Sequence, residues 1–141
     1  MLKKNNNSYI VDCNVVVKWF LPEEHSEEAL MLLDKSTKNE LILHAPEIIS
    51  LEFAGVLTRY NKLKLLTTQE CKKYFDNFIK IINQNILNIS LSGKQAEVLD
   101  LALQEMILYN DAEYLYLAKK LNLELITYDK QLKKIANRHC R

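Results

Sequence analysis

The chain is poor in the residues that make linkers, staples and membrane spans. Its 141 residues include two glycines and two prolines, so connections between elements must be short. It has no low-complexity tract and no repeat, which points to one domain over residues 1–141 with its core over about 9–136. Cys13, Cys71 and Cys140 are odd in number, far apart and in no CxxC pair. That excludes a disulfide framework and a cysteine zinc site, and it suits a reducing cytosol. The three histidines, His25, His44 and His139, are scattered and read as surface or packing residues. Residues 1–8 are too short and polar for a signal peptide. No apolar run approaches the ~20 residues of a membrane helix. The expectation is a cytoplasmic protein with no membrane partner. There is no glycine-rich phosphate loop of the GxGxxG or Walker A kind. Net charge is only +1, so any hold on nucleic acid must come from a site and not from bulk charge. The one uneven stretch follows Asp129, where Lys130, Lys133, Lys134, Arg138 and Arg141 meet no acid. Such a run is either a solvated tail or a patch for phosphates.

What the chain does contain is alternation. Residues 9–11, 41–45, 86–91 and 124–127 are short apolar segments that fit buried strands. Between them run helical patterns. Residues 15–21 form a short helix or turn. Ala29, Leu30, Leu32 and Leu33 lie on a helix whose first turn carries Glu23, Glu24, Glu27 and Glu28, where acids are favoured. Pro46 is placed as the first residue of a helix to about residue 60. Thr67 and Glu70 spell a capping box that opens a helix to about residue 82. Ser92 is the expected cap of a helix with Ala96, Leu99, Ala102, Leu103 and Met106 on one face. A helix over 111–121 and a short one after Asp129 complete the pattern. Strands alternating with helices predict an α/β three-layer sandwich, with a central, mostly parallel sheet of four or five strands.

Four acids stand out on this framework. Ligands of open parallel sheets bind beyond the carboxyl ends of the strands. Asp12 ends the first strand, in "YIVDCNVVVKWF", and Asp129 follows the last. Asp111 opens a helix after a loop. Taken singly, each also suits a helix cap. Glu52 is harder to assign to structure alone. At about 100° per residue from Ile48, it falls near 40°, inside the apolar stripe shared with Val56 and Ile49. A buried carboxylate must be neutral, paired or facing a cation. The structural alternative for Glu52 is a reach to water or to Arg59. Converging carboxylates raise each other's pKa, and a hard oxygen-loving cation such as Mg²⁺ or Mn²⁺ reverses that. An acidic cleft bearing such a cation suits phosphodiester hydrolysis.

These residues also carry a resemblance. "VDCNVVVKWFLPEEHSEEALMLL", "LHAPEIISLEFAGVL" and "YNDAEYLYLAKKLNLELITYDKQL" are similar, in order and spacing, to the blocks of PIN-domain proteins and, within them, VapC-type toxins of toxin–antitoxin pairs. The likeness runs over residues 9–136. It implies a Mg²⁺-dependent endoribonuclease with Asp12 and Asp111 as leading metal ligands, completed by Glu52 and Asp129. It also implies that Asn14 holds a metal-bound water or the substrate, with Thr127 in a supporting role. As partners it implies RNA, a small VapB-like antitoxin and a second copy in a homodimer. Trp19 and Phe20 would line the antitoxin's groove or, equally, be core. Gly55 stands where many relatives have Asn, and Asn110 where Tyr is frequent. Two other readings compete. A phospho-accepting signalling domain with an acidic Mg²⁺ pocket would need paired acids after the first strand and a Lys after the last. Here Cys13 follows Asp12, and Asp129 closes the last strand. A PIN-like module kept only for binding would have no reason to retain four clustered acids, which destabilise a fold.

Overall fold

The computed structural model describes residues 7–139, so Cys140 and Arg141 lie outside the described residues. Four strands and seven helices follow one another as β1 (Ser8–Val11), α1 (Cys13–Phe20), α2 (Ser26–Thr37), β2 (Ile42–Pro46), α3 (Ile48–Lys62), α4 (Thr68–Asn85), β3 (Ile86–Ile89), α5 (Gln95–Glu105), α6 (Tyr109–Leu121), β4 (Glu124–Ile126) and α7 (Lys130–His139). The sheet is wholly parallel, in the order β3-β2-β1-β4. Ile10 at its centre pairs with His44 on one side and Leu125 on the other.

This order fixes where a site can form. The chain steps outward from β1 to β2 to β3 and then returns past β1 to β4. Right-handed crossovers therefore put α1–α4 on one face and α5 and α6 on the other. The contacts agree: α1 touches α2 and α3, α3 touches α4, and α6 lies on β1, β2 and β4 beside α5 and α7. The direction of stepping reverses between β1 and β4, and there the helices part to leave a crevice. Asp12 and Thr127 stand at that point.

The core follows from the apolar runs. Val15, Val16 and Val17 of α1 are buried with Ile10 and Val11 of β1. Phe53 of α3 stacks on Phe78 of α4, with ring centroids 4.2 Å apart, and Phe20 leans on both. Trp19 is buried and donates from Nε1 to the Ala29 carbonyl at 2.7 Å. Trp19 is therefore a core residue and offers no floor to a partner, while Phe20 is partly buried and packs against the core. The capping box is present with both hydrogen bonds, Thr67 N to Glu70 Oε1 at 3.0 Å and Glu70 N to Thr67 Oγ1 at 3.1 Å.

Several local expectations shift. Pro46 ends β2 opposite Ile89 and does not open α3. The next ladder bond to Ile89 comes from the Glu47 amide, so the missing proline N–H leaves no gap. Glu23 and Glu24 precede α2, whose first turn holds only Glu27 and Glu28. Ser92 caps nothing, because a turn through Gly93 at φ +82° delays α5 until Gln95. The face of α5 is also different. Val98, Leu101 and Ala102 are buried, whereas Leu99, Leu103 and Met106 are exposed. Two apolar stripes overlap on this helix, and period alone does not say which one meets α6. The basic run after Asp129 is an amphipathic helix that buries Leu132, Ile135 and Ala136. Arg138 and His139 are held by Glu105 at 3.3 Å and 2.7 Å.

Candidate active site

Asp12 follows β1 directly and is 5% exposed. It occupies the N-cap position of α1, yet its side chain makes no capping bond. Its Oδ2 instead accepts the Thr127 hydroxyl at 2.7 Å, across the crevice from β1 to β4. Burial pushes its carboxyl up to about 7. Glu52 and Asp111 push the same way, and the Thr127 hydrogen bond opposes them.

Thr127 is the hub of a small network. Its hydroxyl also accepts from Asn14 Nδ2 at 3.2 Å and from the Asp129 amide at 3.0 Å. Asn14 closes the ring by accepting the Tyr128 amide on Oδ1 at 3.3 Å. Both ends of the Asn14 amide are thus engaged in holding the turn after β4. Asp129 combines both of its expected roles. Its Oδ1 caps α7 through the Leu132 amide at 3.0 Å, and the residue still lines the cleft.

Asp111 is the third residue of α6, half-buried. Burial raises its carboxyl, as do Asp129 and Glu52. Glu52 comes from α3 on the other side. Its Oε2 accepts Asn110 Nδ2 at 2.8 Å, and no ion pair joins it to Arg59 among the described residues. Its Oε1 is buried without a partner, as is the nearby Tyr114 hydroxyl. The neighbourhood of Glu52 raises the Tyr114 phenol, after burial itself, but the two atoms do not reach hydrogen-bond geometry.

Asp12, Glu52, Asp111 and Asp129 all line one open cleft of about 650 Å³, with Asn14, Asn110, Lys18 and Tyr128 among its other walls. No cation is among the charges acting on Asp12 or Asp111. Among the described residues, no three His, Cys, Asp or Glu side chains stand close enough to make a finished ligand set. The acids are gathered but not drawn together, as mutual repulsion requires. The donors nevertheless fit a hard divalent cation: they are all oxygens, and Glu52 Oε1 is a buried acceptor with no hydrogen bond of good geometry.

Five residues escaped the sequence reading. Asn110 registers there only as a departure from the family pattern, but it is what holds Glu52. Glu113, 9% exposed on α6 behind the cleft, has its carboxyl raised by burial and then by Glu52 and Glu47. Its signal is its place amid Ala112, Tyr114 and Leu115, all buried. Tyr128 and Lys18 also face the cleft. Cys13 lines it too, but burial pushes its thiol well up and leaves it unreactive.

A family model for the PIN domain matches residues 9–138. The chain belongs to the PIN-domain family. Among curated proteins, this PIN domain is 26% identical over 126 residues to ribonuclease VapC3 of Pyrobaculum aerophilum, an alignment covering 87% of this chain and 90% of the relative. Among solved structures, it is similar to the crystal structure of PAE2754 from Pyrobaculum aerophilum. That likeness has a TM-score of 0.67 and 17% identity, and it covers 93% of this chain and 88% of the other. It establishes the shared α/β fold.

Proposed function

We propose that this PIN domain, one unit over the whole chain, is a Mg²⁺- or Mn²⁺-dependent endoribonuclease. In this reading it is the toxin of a VapBC-type pair. The observation that carries the reading is the uncompensated acid cleft. Four carboxylates line it, Glu52 Oε1 is buried with no hydrogen bond of good geometry, and among the described residues no Lys or Arg forms an ion pair with any of the four. Likeness to a ribonuclease of the same family supports the choice of substrate.

Asp12 and Asp111 would be the leading ligands of the cation, with Glu52 and Asp129 completing the shell directly or through waters. The cation supplies charge neutralisation at the phosphate and an activated water. The chain's own residues set the stage. Thr127 and Asn14 hold Asp12 and the turn bearing Asp129, and Asn110 turns Glu52 into the cleft. A small antitoxin, a homodimer and a cytoplasmic setting complete the proposal on family resemblance. No helix among the described residues is long and apolar enough to cross a membrane.

Purified protein incubated with total cellular RNA and Mg²⁺ should cleave it, and sequencing the new ends would locate the target. Asp12→Ala and Asp111→Asn should each abolish cleavage while circular dichroism stays unchanged. Retained cleavage in either variant would sink the mechanism. A folded wild-type protein that binds RNA but never cuts it would favour the binding-only reading.

A further inference from the structure

Lys18 and Arg59 are the two cations among the residues lining the cleft. Neither is among the charges acting on Asp12 or Asp111, so neither serves to neutralise those two acids. Lys18 is the more confined, its side chain only 11% exposed. Lysine is seldom so enclosed without a partner. Its ammonium lies 5.2 Å from the centroid of the Tyr128 ring and donates to Glu23 Oε2 at 3.1 Å. The other oxygen, Glu23 Oε1, accepts the Tyr60 hydroxyl at 3.2 Å. One carboxylate is therefore gripped at both oxygens, by an ammonium and a phenol, on the wall of the acid cleft, with Arg59 on the same wall.

Glu23 is a poor candidate for a structural anchor. It lies in the short connection between α1 and α2, and its side chain is 32% exposed. Lys18 is the enclosed member of the pair and Glu23 the solvent-facing one, so Glu23 is the partner that can leave. The grip suits another anion better. Two donors spaced to hold the two oxygens of a carboxylate also match the two non-bridging oxygens of a phosphodiester.

We propose that Lys18 and Tyr60 form a subsite for an RNA backbone phosphate beside the scissile one, and that Glu23 fills this subsite in the free protein until RNA displaces it. The proposal rests on the nuclease reading for the identity of its ligand. It makes Glu23 an internal competitor of substrate, so that RNA must exchange one anion for another on arrival. It also explains a lysine enclosed in a cleft whose charged lining is mainly acidic.

The test separates binding from cleavage. The probe is a fluorescein-labelled decauridylate, titrated by fluorescence anisotropy in EDTA. All proteins carry Asp12→Asn, which removes one charge that repels RNA. Adding Glu23→Gln should tighten binding several-fold, because a neutral amide competes less well for the ammonium. Adding Lys18→Ala should weaken it about tenfold, the scale of one charge-assisted contact. The slope of log K against log salt should fall by about 0.7, one phosphate's share for a single strand. Tyr60→Phe should weaken binding less and leave the salt slope unchanged. With Lys18→Ala present, Glu23→Gln should bring no gain. A purely structural Lys18–Glu23 pair predicts the reverse for Glu23→Gln, a lower melting temperature with binding unchanged or weaker. Either that result or failure of the probe to bind any of these proteins overturns the subsite. Failure of the wild type to cut RNA in Mg²⁺ overturns the nuclease reading alone, since the titration needs neither metal nor cleavage.

Discussion

Asp12 shows how one buried carboxyl can cost the fold stability. Its folded carboxyl sits at about 7, above an unfolded value of about 3.9. A group raised in this way stabilises the folded state fully only below its unfolded pKa. That contribution is lost as pH rises through about 7. Asp111 and Glu113 shift in the same direction. Metal-free protein should therefore resist urea better at pH 5 than at pH 8. Asp12→Asn should stabilise it at pH 8 by up to about 4 kcal/mol, since three pKa units correspond to that much. The difference should vanish near pH 4. A urea series in EDTA at the three pH values measures this directly. Residue-scale legibility was uneven. Glu52 was visible because a charge inside an apolar stripe breaks a periodic pattern. Asn110 and Lys18 broke no pattern. A polar residue near a helix start and a lysine on a short helix are ordinary until a partner from a distant segment is seen.

At the scale of elements, two helices offer opposite tests. Gly55 lies in the interior of α3, and a Cβ placed there would meet nothing within 4 Å. Gly55→Ala should therefore stabilise the fold by roughly 0.5–1 kcal/mol, through the lower entropy cost of alanine in a helix. Thr67→Ala should destabilise it by about 1 kcal/mol, because it removes the oxygen that accepts the Glu70 amide. Thermal melts of the two variants should move in opposite directions from the wild type. The capping box was legible because its chemistry is local, four residues acting on one another. The working face of α5 was not, because it depends on where α6 docks. The same holds for Pro46: its role as strand end comes from pairing with Ile89, far along the chain.

At the scale of the whole molecule, alternation of apolar segments sufficed for the layers and the parallel sheet. It also sufficed for the edge at which the acids would meet. It could not supply the spacing between them, which depends on the sheet order and on the Asn110–Glu52 hydrogen bond from α6 to α3. If the cleft takes a divalent cation, Mg²⁺ should raise the melting temperature of the wild type at pH 8. A concentration 100-fold above the dissociation constant is worth about 2.7 kcal/mol. Asp12→Asn should lose most of this shift. Differential scanning calorimetry with and without Mg²⁺ reads both, and an equal shift in the two proteins would remove Asp12 from the ligand set.

The bond from Thr127 to Asp12 joins residues 115 positions apart, and it carries a consequence for synthesis. Chains emerge from the ribosome N-terminus first and fold as units. The first acid, on β1, is made early, but β4 and the turn that holds it come more than a hundred residues later. Until that strand has left the exit tunnel and docked against β1, no complete cleft exists. For a protein proposed to cut RNA, this order of assembly is a built-in delay. The machine that makes it is itself largely RNA, and a partly made chain that ends before β4 carries Asp12, Glu52 and Asp111 without Asp129 or Thr127.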